Sequence, residues 1–143
     1  MTNDGAFRVI AAKTTAMVHG VLRVQQPTEK TRSALAELLT GVVLIRETMA
    51  PQLRVQGLLK QSGLTGAIVA DSHPSGDTRG LAGFGAARDF EMKSAVLQMV
   101  RTLNDGRLQQ GVVQVPDSGD VSEALMTYMQ VSEQVTTMIA VGT

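Results

Sequence analysis

The stretch from residue 29 to residue 49, "EKTRSALAELLTGVVLIRETM", limits the fold more than any other part of the sequence. Ala34, Leu35, Leu38, Leu39, Val42, Ile45 and Met49 recur at helical spacing and fall on one side. In the second half, "GVVLI", every side is apolar. A helix of that kind is stable only when protein surrounds it. The rest of the chain must therefore supply layers around this helix. Thr28 stands where an N-cap belongs, and Pro51 stops the helix because residues before proline are pushed out of the helical region.

The flanking segments alternate between strand and turn signals. Residues 8–24, "RVIAAKTTAMVHGVLRV", are rich in β-branched side chains and broken by Gly20, which predicts a long bulged strand or a strand pair. Three short runs follow the helix, "LRVQGLLKQ", "LTGAIVAD" and "TRGLAGF", separated by Ser62-Gly63 and by "SHPSGD"; they predict an antiparallel meander. "VLQMVRTL" and "RLQQGVVQV" flank Asn104-Asp105-Gly106, a hairpin signal because glycine accepts the positive φ of a tight turn. A second, amphipathic helix is expected from Val121 to about Gln134, capped by Asp120 with Glu123 as its reciprocal partner. It presents Val121, Ala124, Leu125, Tyr128 and Val135 on one face, and "TTMIAV" reads as a last strand. The expected architecture is one α+β domain over residues 1–143. It has about eight strands in mostly antiparallel sheets around a buried central helix, with the amphipathic helix near the C-terminus.

Composition narrows the functional classes. Lys plus Arg equals Asp plus Glu at 13 each, so no overall field favours nucleic acid or an anionic membrane. Cysteine is absent, which removes disulfides, thiolate metal sites and thiol switching within these residues. No apolar run approaches the length of a membrane span, and the N-terminus lacks a leader pattern. The chain reads as cytoplasmic and soluble.

Candidate sites are few. Asp71, His73 and Asp77 in "DSHPSGD" have metal-binding side chains but the composition of a surface turn. His19 has no orienting partner in the sequence, and Arg46, near the apolar stripe of the central helix, either snorkels to the edge of the core or pairs with a carboxylate such as Glu47 or one from the sheet. Gly80, Gly83 and Gly85 lack the spacing of a phosphate loop and suit close backbone packing instead. No acid, base and nucleophile converge, so no catalytic residue and no cofactor are assigned. Met126, Met99 and Met92 remain as candidates for an adaptable apolar binding surface, Met126 because its helical phase points away from the core.

In order, "HGVLRV", "ALAELLTGVVLI", "LTGAIVAD", "TRGLAGF", "LQQGVVQV" and "LMTYMQVSEQVTTMIAV" resemble the N-terminal domain of the heat-shock protein 33 family, the 33 kDa chaperonins. The last segment is the most specific, with Tyr128, Ser132, Glu133, Gln134 and Thr137 at the family's positions, and Arg79-Gly80 is similar to an Arg-Gly that opens a strand. The family's glycine-rich turn, resembling Gln-Gly-Asp-Gly-Pro, here reads "KQSGL" from Lys60, and the connection after the first strand is shorter. The resemblance implies a holdase that binds unfolded or partly folded proteins without ATP, acts as a homodimer, and is switched by a zinc-binding cysteine module. That module lies beyond the matched segment. The expectation is a domain truncated before the family's last core elements, without the redox switch and its zinc. A dimerising interaction or regulatory module that keeps the fold without chaperone activity is the alternative.

Overall fold

The computed structural model describes residues 5, 7–49, 52–61, 67–82, 90–92, 94–117 and 120–141. Among them are helices α1 (Thr15–Gln25), α2 (Glu29–Met49) and α3 (Val121–Ser132), and strands β1 (Val55–Gln61), β2 (Ile68–Ser72), β3 (Thr78–Ala82), β4 (Ala95–Thr102) and β5 (Leu108–Gln114). The strands form one antiparallel sheet in the order β3-β2-β1-β4-β5. All three helices pack on one face of it, α2 across β1, β2 and β3, α3 on β4 and β5, and α1 beside β3. The α+β class, the single domain, the central helix, the meander and the hairpin agree with the sequence reading. Pro51, the Ser62-Gly63 turn, Gly83 and Gly85 lie outside the described residues.

Residue size sets where the helices rest. The register aligns Gly80, Ala70, Gly57, Met99 and Gly111 in one row across all five strands, on the helix-covered face. An added Cβ at Gly80 would lie 2.8 Å from Val21 Cγ1 and 3.0 Å from Leu39 Cδ2; one at Gly57, 2.9 Å from Val42 Cγ1; one at Gly111, 2.5 Å from Ser132 Oγ. The row is a trough of small side chains into which the helices sink, which is what glycine in a strand interior permits. Met99, fully buried, fills the space between the α2 and α3 contacts.

Two expectations fail. Residues 8–24 do not form strands: residues 7–14 join no ladder, and Thr15–Gln25 is helix α1. Val18 and Leu22 point inward at i and i+4, with Met17 and Val21 partly buried beside them, so the apolar spacing was helical although the side chains were β-branched. Packing against α2 and β3 overrides the propensity. Residues 136–141 are likewise outside any ladder among the described residues. Gln134 takes a left-handed φ of 57°, and Val135 N–H donates to Met129 O (3.0 Å), a helix-ending turn that redirects the chain. Ile139 and Val141 then pack on the core, and Val141 N–H donates to Ser122 Oγ (3.1 Å) in α3. The segment lies along a helix, where no backbone ladder can form. Five strands and three helices are thus described, where about eight and two were expected.

The Asp120 cap of α3 and the glycine of the hairpin turn agree with the sequence reading. Asp120 Oδ1 accepts from Ser122 N–H at 2.7 Å, and Gly106 takes a φ of +85° in the β4–β5 turn. At the far end of α2, Arg8 donates to the carbonyls of Thr48 (3.0 Å) and Glu47 (3.3 Å), completing acceptors that the helix leaves open.

Candidate functional site

Alternation sends half of every strand to the face without helices. On that face the register aligns Leu81, Val69, Leu58, Gln98 and Val112 in one row across β3, β2, β1, β4 and β5. Five strands at ~4.8 Å spacing make a stripe of about 19 Å, apolar except for Gln98. Val96 and Val100 flank it on β4, and Leu108 lies on the same face of β5. Leu81, Val112 and Leu108 are 50%, 58% and 62% exposed, and Leu58, Val69, Val96 and Val100 are half-buried. An apolar row of this kind, exposed at both ends and half-buried between, is the candidate interaction surface among the described residues.

Polar groups border the stripe. Lys60 Nζ donates to Gln98 Oε1 (2.9 Å), and Gln98 Nε2 reaches Gln110 Oε1 (3.4 Å), which pins the one polar side chain within the stripe. In the next row Asp71 receives both donors of Arg54, at 2.8 and 2.7 Å, and His73 Nε2 lies 3.3 Å from Oδ2. Burial alone would raise the Asp71 carboxyl, but the hydrogen bonds and charge of Arg54, with His73 beside it, outweigh that and hold it below the usual carboxylate range. The sign follows from linkage. A depressed folded value adds stability that is fully present above the unfolded carboxylate range near pH ~4 and is lost as pH falls through the folded value. Arg54 is about half exposed, so the contribution is modest. Parent and Asp71→Asn should therefore differ measurably in urea midpoint at pH 7 and converge in acid; a gap that widened with acidification would contradict the pairing.

The sheet is held to α3 by a buried clasp. Glu133, just beyond α3, accepts from Arg101 Nε (3.2 Å) and Nη2 (3.1 Å) and from the Tyr128 hydroxyl (2.5 Å), while Arg101 also donates to Gln109 Oε1 (3.0 Å). Burial pushes the Tyr128 phenol far up, and the carboxylate beside it adds to the shift, so Tyr128 remains a neutral donor.

The sequence-derived candidates disperse. His73 and Asp77 form the β2–β3 turn, His73 N–H donating to Asp77 O (2.9 Å), and Asp77 faces Ser75 instead of Asp71. His19 is exposed on α1, and Arg46 is buried against Ser72 (3.0 Å) and Glu47 (2.7 Å). Among the described residues no three His, Asp or Glu gather as metal ligands. Met126 is half-buried on α3, Met92 packs partly buried against the core, and Met99 belongs to the core itself, with no exposed area to offer a ligand. The methionines thus do not form one surface. Sequence reasoning missed the sheet stripe, although its signal was present: "VQGLLKQ" and "AVLQMVRT" carry Leu58, Val96 and Val100 in the phase opposite to their buried residues.

Comparison with known proteins follows the same lines. The sequence matches the family model described as "Hsp33 protein" across residues 1–143. It is 30% identical to the 33 kDa chaperonin of Syntrophotalea carbinolica over 99% of this chain and 52% of that protein. It is 28% identical to that of Bacillus licheniformis over 97% and 52%. The chain therefore spans about half the length of these curated relatives. The fold is similar to the crystal structure of a 33 kDa chaperonin from Thermotoga maritima, with a TM-score of 0.64 and 21% identity over 82% of this chain and 44% of that one. Among the described residues no helix is long and apolar enough to cross a membrane.

Proposed function

This chain belongs to the Hsp33 protein family, a chaperone family, and from that premise we propose that its open sheet face holds apolar segments of non-native polypeptides as an ATP-independent holdase, without catalysis. The observation that carries the reading is the stripe from Leu81 to Val112. A flat apolar surface interrupted only by Gln98 binds by area and has little means of selecting a sequence. Each ~100 Å² of client apolar surface covered contributes about 2.5 kcal/mol. Extended client segments can also pair with the outer edge of β5, which has no partner strand among the described residues.

The test is light scattering of a thermally unfolding client. The parent chain should suppress aggregation at equimolar ratio without oxidant. The paired substitution Leu81→Lys/Val112→Lys should reduce suppression by about threefold or more while circular dichroism stays unchanged. Met126→Ser, on α3, should leave suppression nearly intact. Equal protection by the parent and the double-lysine variant would sink the assignment of the face.

Self-association follows from the same premise. Residues 136–140 make no backbone hydrogen bond to another segment among the described residues, and Met138 is almost fully exposed, so a strand from a second copy has an edge to pair with. Light scattering coupled to gel filtration should give a dimer mass that Thr136→Pro shifts to monomer; an unshifted mass would place the contact elsewhere.

A further inference from the structure

We infer that the cleft between α1 and the first half of α2 binds a small amphiphilic carboxylate, an anionic head on a short apolar body. One face of each helix lines it. Thr15, Val18, His19 and Leu22 come from α1, and Glu29, Arg32, Ser33, Ala36 and Thr40 from α2. The cleft has a volume of about 290 Å³ and opens to solvent, where a wider hollow lined by His19, Arg23 and Arg32 continues it. Val18, Leu22 and Ala36 are buried and make an apolar floor. At the inner end the Thr14 and Thr40 hydroxyls bond each other at 2.7 Å, so they are satisfied without a ligand. Polar recognition is left to the mouth.

The charges at the mouth are unusual for this chain. Arg46, Arg54, Arg101 and Arg107 each pair with a carboxylate, and Arg8 is spent on helix carbonyls. Arg23 and Arg32 have no carboxylate within ion-pair distance among the described residues, and both line the same hollow with His19, which lies one helical turn before Arg23 on α1. Arg79 is also without one, but it stands apart on edge strand β3. Two guanidinium forks over an apolar floor match a carboxylate that carries a hydrocarbon, since the fork pairs both oxygens while the body leaves water. Glu29, the one acid in the lining, disfavours a multiply charged anion such as phosphate. At ~30 Å³ per water-sized group the space takes about ten such groups, the size of octanoate.

The experiment is a titration of the isotope-labelled chain followed by amide shifts. Octanoate should move amides of residues 15–25 and 28–40 and leave the outer sheet face unchanged. Arg23→Ala/Arg32→Ala should weaken binding by about tenfold or more, and neutral octanol should bind about as weakly to the parent. Glu29→Gln should tighten octanoate binding. All three side chains are exposed, so the variants fold as the parent does. Octanoate shifts on the sheet stripe instead, octanol or inorganic phosphate binding as well as octanoate, or an unchanged affinity in the double-alanine variant would overturn the site. Because the sheet face and the cleft report through different amides, failure here leaves the chaperone reading untouched.

Discussion

Glu133→Ala should lose about 3 to 5 kcal/mol of unfolding free energy. The side chains of Glu133 and Arg101 are 6% and 16% exposed, so removing the carboxylate leaves a guanidinium in a mostly dry site and takes the acceptor from the Tyr128 hydroxyl. The clasp also ties the end of α3 to β4, and through Gln109 to β5, so its loss frees both elements at once. Tyr128→Phe, which deletes one donor and leaves the ion pair, should cost only about 1 kcal/mol. Urea unfolding of the three proteins measures both. If Glu133→Ala unfolded at the parent's midpoint, the clasp would be a bystander, and the position of Ser132-Glu133-Gln134 would need another explanation.

Gly57→Val should be nearly as damaging, by about 3 kcal/mol or more, for a steric reason. The first added carbon already lies 2.9 Å from Val42 Cγ1, 3.1 Å from Leu38 Cδ1 and 3.2 Å from Met99 Sδ, and valine adds two more methyls to a trough with no space. α2 cannot lift away without also leaving Gly80, where Leu35 and Leu39 press just as closely. Gly20→Ala is the internal contrast. Its Cβ would meet nothing within 4 Å in the middle of helix α1, so it should stabilise by up to about 1 kcal/mol. Thermal unfolding that ranked the two glycines the other way would show that the row across the sheet does not seat the helices.

The stripe and the trough are two sides of one arrangement. Leu58 follows Gly57, Leu81 follows Gly80 and Val112 follows Gly111, so each glycine that lets a helix approach from one side is followed by an apolar residue facing out on the other. "GLL", "GLA" and "GVV" therefore encode a helix seat and an open apolar position together. Read along the chain, Gly80 gave only close packing; its alignment in one row with Gly57 and Gly111 depends on strand register, which links residues far apart in sequence.

Local chemistry made much of the rest legible. The all-round apolar half of α2 demanded burial, Asp120 announced the start of α3, Asp105-Gly106 announced the hairpin, and the order of motifs from His19 to Val141 pointed to the family. Residues 8–24 misled because β-branched content is a weak preference that packing against α2 overturned, and residues 136–141 misled because a strand exists only where another backbone offers its edge. The sequence by itself thus determined the class, the central helix and the kinship, since each rests on spacing within one segment. Only the tertiary structure decided the sheet order, the Arg101–Glu133–Tyr128 clasp, the apolar stripe and the basic cleft beside α1. Each of these joins side chains from separate segments, and their meeting is set by register and helix seating.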